Sequence, residues 1–154
     1  MCYITFMLIK NYAIISGCLM GFKCRYNGKS KLCKYLDIYM KKHTLIPLCP
    51  EQLGGLPTPR ERAEIEEGDG FYVINGKAKV LTKSGEDVTK QFLKGAFEVL
   101  NFIKNYGIKV AYFQDKSPSC GVNNIYINGI LTKGVGVTTA LLLENNIEVL
   151  GVDL

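Results

Sequence analysis

The sequence predicts an α/β fold: a single domain on a mostly parallel, twisted sheet with helices on both faces, Rossmann-like, plus a small β-hairpin insertion. Three observations carry this prediction. Short apolar runs recur at 12–16 ("YAIIS"), 44–48 ("TLIPL"), 108–113 ("IKVAYF") and 147–152 ("IEVLGV"). They are predominantly apolar rather than strictly alternating, as strands buried on both faces are. The stretches between several of them carry apolar residues at helical spacing, so strand and helix alternate along the chain.

Residues 1–10, "MCYITFMLIK", are expected to form an extension ahead of a single domain at 11–154. The extension is apolar, but it lacks a basic leader and a small-residue cleavage site and is shorter than a membrane span. A cytoplasmic chain with reduced thiols is therefore expected. The first strand ends at Gly17 and runs into the loop "GCLMGFKCRYNG". Ser30 is placed to cap a helix in which Leu32, Leu36, Tyr39 and Met40 recur through about Lys42. The second strand, with Pro47 near its end, runs into Cys49. "CPEQLGGLPTPR", 49–60, holds three prolines and two glycines and reads as a constrained loop rather than a helix interior or central strand. "GFYVINGKAKVLTKSG" predicts a hairpin about Asn75-Gly76. Asp87 is expected to cap a long helix with Val88, Phe92, Ala96, Phe97, Leu100 and Ile103 on one face, ended by Gly107. After the third strand come "QDKSPSCGVNN", a second Asn-Gly at 128–129, the apolar helix of "KGVGVTTALLLENN", and the last strand. There are no repeats, low-complexity tracts or linkers.

The composition, 47% hydrophobic and 21% charged, is that of an ordinary globular protein, and the net charge is +5. No basic run or aromatic-interleaved stripe stands out, so nucleic acid is not the default partner. A small anionic ligand would balance the excess as well, and no membrane partner is expected.

The chemistry lies in the cysteines. Of six, Cys18 follows the first strand, Cys49 the second, and Cys120 lies in the loop after the third. Open parallel sheets bind ligands beyond the carboxyl ends of their strands, so the fold itself delivers these thiols to one rim. Three thiolates without histidine suit zinc or an iron–sulfur cluster. His43 precedes the second strand, at its opposite end, and reads as a surface residue. Ionising each thiol at pH 7 costs about 2 kcal/mol, which metal binding offsets easily. Two metal arrangements are open. Cys24 could complete a closed four-thiolate site, making a structural or sulfur-carrier module without catalysis. Alternatively, Cys18, Cys49 and Cys120 alone could hold a cuboidal four-iron cluster, leaving one iron to bind substrate. Without metal, all three would serve as small buried hydrophobes. No Cys-x-x-Cys redox motif is present.

The neighbours add acid–base chemistry. Glu51 lies two residues beyond Cys49, where a carboxylate can act as general base on water. Ser117 and Ser119 precede Cys120 and can hydrogen-bond sulfide or a polarised substrate atom. Arg25, Arg60 and Lys116 are candidates to balance cluster charge. The Gly134 and Gly136 approach to the last helix could present N–H groups to an anion or serve tight packing.

"SGCLMGFKCRYNG", "CPEQLGGLPTPR" and "SPSCG", with "DVTKQFLKGA" and "GVGVTTALL", together resemble the thiouracil desulfidase family from about residue 12 to the end. The resemblance implies a [4Fe–4S] cluster held by Cys18, Cys49 and Cys120, and non-redox conversion of thiouracil to uracil with the substrate sulfur on the open iron. By the same match, Glu51 activates water and Ser117 assists proton transfer or holds the substrate. Asn27 stands where the family's aspartate is expected, and Gly17 where alanine is common. Neither departure touches a proposed ligand or the acid.

Overall fold

β1 (Tyr12–Ser16) is the strand around which the sheet is built. It pairs in parallel with β2 (Thr44–Leu48) on one side and with β5 (Val110–Gln114) on the other, and β8 (Glu148–Val152) completes the four-stranded order β2-β1-β5-β8. Tyr12 lies opposite Thr44, Ser16 opposite Leu48, and Ile15 opposite Tyr112. The computed structural model describes residues 11–152, so the extension expected at 1–10 lies outside the described residues. The expected α/β architecture is what the chain adopts. Among the described residues, no helix is long and apolar enough to cross a membrane.

Side-chain alternation sorts the sheet into two faces. Ile14, Ala111, Phe113 and Val149 pack in one core with Phe92, Ala96 and Val99 of α4 (Thr89–Tyr106) and Leu142 of α5 (Val137–Glu144). Ala13, Ile15, Tyr112 and Val152 join the other core with Leu19, Cys24 and Cys33, against which Leu36 and Tyr39 of α1 (Leu36–Lys42) pack. Pro47 is tolerated because β2 is an edge strand of its sheet.

Several local expectations differ from what forms. The helix anticipated from Ser30 begins only at Leu36, and Leu32 is 60% exposed. The backbone just before it bonds back to the 3-10 turn at Gly17–Met20, Lys31 N–H to Cys18 and Cys33 N–H to Leu19, which seats Cys33 in the core. The hairpin about Asn75-Gly76 does not form. Gly70–Ile74 is a short helix, α3, capped by Asp69, whose Oδ1 accepts the Phe71 N–H. β4 (Val80–Thr82) pairs instead with β3 (Ala63–Ile65), just beyond the segment 49–60 expected to be a constrained loop. Asn128-Gly129 does close a hairpin between β6 (Asn124–Ile127) and β7 (Ile130–Lys133), with both residues at positive φ (50° and 74°). Asn75 sits at φ −92° and ends a helix. On α4, Gly95 and Val99 are buried and Phe97 is 49% exposed. Asp87 lies just before the N-cap residue Val88, and its Oδ1 accepts from the Thr89 N–H and hydroxyl.

One helix contact positions the functional rim. α2 (Pro50–Leu53) lies backbone-to-backbone on α4, so closely that a Cβ on Gly54 would collide with the Gln91 carbonyl and one on Gly95 with the Pro50 carbonyl. Replacing glycine by alanine within a helix ordinarily stabilises by about 0.5–1 kcal/mol. Gly95→Ala is expected to reverse that sign and cost about 1–3 kcal/mol in a urea titration, because α2 must lift away from α4.

Candidate functional site

β1 is flanked on both sides by strands whose chain connections run in opposite directions across the sheet, so the crevice lies beyond its carboxyl end. A cavity of about 360 Å³ opens there. Cys18, Cys49, Cys120, Cys24, Glu51 and Ser117 all line it. The structure thus brings these six residues to one hollow, whereas Ser119 is buried with its hydroxyl bonded to that of Thr138 and does not line it.

Each is held by its own device. Cys18 sits in the 3-10 turn immediately after β1, and its thiol donates to Gln114 Oε1 at the end of β5 (3.0 Å). Cys49 takes the extended N-cap position of α2, ahead of Pro50. Its thiol lies 3.8 Å from the Cys24 carbonyl oxygen. Cys120 is presented by a loop folded around Ser117, whose hydroxyl oxygen accepts the N–H groups of Ser119 (3.1 Å) and Cys120 (3.0 Å). That loop also caps α5. The Val137 and Thr138 N–H groups donate to the carbonyls of Pro118 and Ser119, and the Thr139 hydroxyl donates to the Cys120 carbonyl. These two N–H groups are therefore spent on the loop, and a Cβ on Gly136 would strike Ser119. Tight packing, not anion binding, explains that glycine. Asp115 stiffens the same loop from its other end, Oδ1 accepting the N–H groups of Val122, Asn123 and Asn124. Burial opposes its ionisation, but these bonds outweigh it and hold the carboxyl below its usual range.

Glu51, on α2, pairs through Oε1 with Arg60 Nε (3.2 Å), both side chains being largely withdrawn from water. Arg25, Lys31 and Lys116 also line the cavity. Burial, reinforced by repulsion from Arg25 and Lys116, pushes the Lys31 ammonium below its usual value. The thiols are shifted the other way. A hydrogen bond with the Cys24 thiol, then burial, raises Cys49 far above an ordinary thiol, and burial does the same to Cys120. Cys24 is raised chiefly by its hydrogen bond with Cys18. Among the described residues, no three His, Cys, Asp or Glu side chains close around a single-ion site. His43 lies away from the cavity, and its Nδ1 is 2.8 Å from the Tyr112 hydroxyl, so it is half-buried and partnered rather than a bare surface residue.

Sequence reading missed Ser16, Gln114, Lys31, Arg62 and Tyr126, all of which line the cavity. Ser16 and Gln114 close their strands, and the Gln114 N–H donates to the Ser16 hydroxyl (3.0 Å). The one signal available was position, a polar residue ending an apolar run at a rim where ligands bind.

Comparison with known proteins accords with this geometry. The family model described as 2-thiouracil desulfurase matches residues 13–153. The chain belongs to the 2-thiouracil desulfurase family. The match spans all three cysteine-bearing loops. An uncharacterized Bacillus subtilis protein, YbbK, is 40% identical over 140 residues, covering 89% of this chain and 93% of the relative. Among solved structures, the [4Fe-4S]-dependent thiouracil desulfidase TudS superposes with a TM-score of 0.79 at 39% identity, covering 92% of this chain and 91% of that one. The chain is thus a homologue of a [4Fe-4S]-dependent enzyme of this family.

The raised thiols carry a pH signature. Cys24, Cys49 and Cys120 hold their protons more tightly when folded than at the ordinary thiol value of 9.0, so above that value the unfolded chain binds fewer protons than the folded one. Their contribution to stability is full below pH 9.0 and falls as pH rises from there towards the folded values. Urea titrations of reduced, metal-free protein are expected to show lower stability at about pH 10 than at about pH 7.5, with a smaller difference for Cys49→Ala.

Proposed function

We propose that this chain removes sulfur from thiouracil without net redox change, thiocarbonyl and water giving uracil and hydrogen sulfide. What carries the reading is the convergence of Cys18, Cys49 and Cys120, from three separate strand ends, on one cavity that also holds Glu51. These thiols would hold a [4Fe–4S] cluster by three ligands, leaving one iron without a protein ligand. The donor set fits such a group: it is all sulfur, it borders a roomy hollow, and it does not close on a single ion. When bound, the cluster supplies a soft Lewis acid with an open position for the thiocarbonyl sulfur.

The chain's own residues supply the rest. Glu51, which lines the cavity, accepts a proton from the attacking water, with its Oε1 fixed by Arg60. Ser117 has its oxygen engaged by two backbone N–H groups, so its hydroxyl hydrogen is the part that can serve a substrate acceptor. Arg25, Lys31 and Lys116 offset the negative charge that three thiolates bring to a partly dry site.

Anaerobic reconstitution followed by incubation with 2- or 4-thiouracil is the direct test. Sulfide and uracil are expected in equal amounts, and a fully loaded protein that releases neither overturns the thiouracil reading. Glu51→Gln is expected to lower kcat by about 10²–10⁴-fold at unchanged iron content. Cys24 separates this reading from a closed four-thiolate module. Cys24→Ser should retain iron and acid-labile sulfide, whereas Cys49→Ser should lose them. Equal loss in both variants would favour the closed site.

A further inference from the structure

Arg60 is a cation almost wholly withdrawn from water, its side chain 5% exposed, and its hydrogen bonds run to two separate parts of the rim. Nε donates to Glu51 Oε1 (3.2 Å) and Nη2 to the Cys24 carbonyl (2.9 Å). Nη1 donates to the Pro57 carbonyl (3.2 Å) and the Thr58 hydroxyl (3.1 Å). Its backbone N–H adds a bond to the Tyr26 carbonyl (2.8 Å). One planar fork therefore ties α2, which carries Glu51, to the loop after β1, which carries Cys24. A charge-balancing residue needs only to be near the cluster. Nothing in that role demands four acceptors in fixed directions.

We propose that Arg60 is a positioning residue that sets the direction of the Glu51 carboxylate by locking α2 to the Cys24 loop. The observation behind it is the span of the guanidinium. Its donors diverge in one plane at fixed angles, so a carboxylate on one element and a carbonyl on another are held in a single relative geometry. A lysine ammonium in the same place keeps the charge but has no fork, and it cannot reach both acceptors in those directions. The Cys24 carbonyl also lies 3.8 Å from the Cys49 thiol, so releasing it loosens the packing around Cys49. Buried acceptors stripped of a charged donor are costly, which makes the lock stiff rather than incidental.

This inference rests on Glu51 being the proton-handling group, and the test keeps the two apart. Wild type, Arg60→Lys, Glu51→Gln and the double variant are assayed with thiouracil at matched iron and sulfide content. Arg60→Gln stands in should Arg60→Lys fail to fold. Arg60→Lys is expected to lower kcat by about 10- to 100-fold, since misaiming a reacting group by an ångström costs that much. KM should move by less than about threefold. Because Arg60 acts through Glu51, the double variant should be no slower than Glu51→Gln alone. A second readout needs no cluster: in reduced, metal-free protein, Cys49 of Arg60→Lys should alkylate faster than in wild type. Full kcat in Arg60→Lys, multiplied losses in the double variant, or an unchanged alkylation rate overturns the positioning role. An inactive wild type overturns the desulfidase reading instead, and the alkylation rate then decides the Arg60 lock by itself.

Discussion

Parallel hydrogen bonding of β1 to β2 on one side and to β5 on the other is the constraint from which the site follows. Parallel pairing sends the carboxyl ends of all three strands out of the same edge of the sheet. Because Ser16 lies opposite Leu48, the turn bearing Cys18 and the helix start bearing Cys49 leave the sheet at the same level. β5 ends beside them at Gln114, which takes the Cys18 thiol hydrogen and receives the Ser16 hydroxyl as a partner for its own N–H. An antiparallel β5 would have sent the loop carrying Cys120 to the far side of the domain.

The sheet brings the loops close, and backbone contacts then hold them. α2 rests on α4 where glycines leave no room for a Cβ, and the Ser117–Gly121 loop doubles as the cap of α5. The first is a close backbone packing contact, and the second satisfies polar backbone groups across its interface, so each loop has one favourable placement. The Ser117 hydroxyl belongs to this scaffold as much as to any chemistry, since it accepts two N–H groups of its own loop. Arg60 adds the third tie, between α2 and the Cys24 loop.

Electrostatics set the character of the hollow. The half-buried thiol of Cys49 and the buried one of Cys120 favour the neutral form, whereas metal ligation requires thiolates. The cations along the cavity lower the cost of that ionisation. Their crowding shows in Lys31, whose ammonium is destabilised by burial and by two neighbouring positive charges. The modest excess of +5 over the whole chain is thus concentrated in part at the one place where anionic sulfur would gather.

Strand runs, their alternation with helices, and the positions of Cys18, Cys49 and Cys120 after strands are local properties of the amino-acid order. They sufficed for the α/β class and for the expectation that Cys18, Cys49 and Cys120 share a rim, because a parallel sheet leaves such loops nowhere else to go. The motifs around them carried the family resemblance for the same reason. What local order could not decide were features settled by competition between distant segments. Asn75-Gly76 has the residues of a hairpin turn, yet Gly70 must pack against Gly136 and the segment winds into α3. Leu32 has helical spacing, yet the N–H groups of Lys31 and Cys33 are claimed by the turn after β1. Gln114 and the four-way grip of Arg60 likewise depend on partners up to 98 residues away, and no periodicity encodes such a meeting. Propensity and pattern act over a few residues, whereas these bonds exist only once packing has fixed the distances between elements.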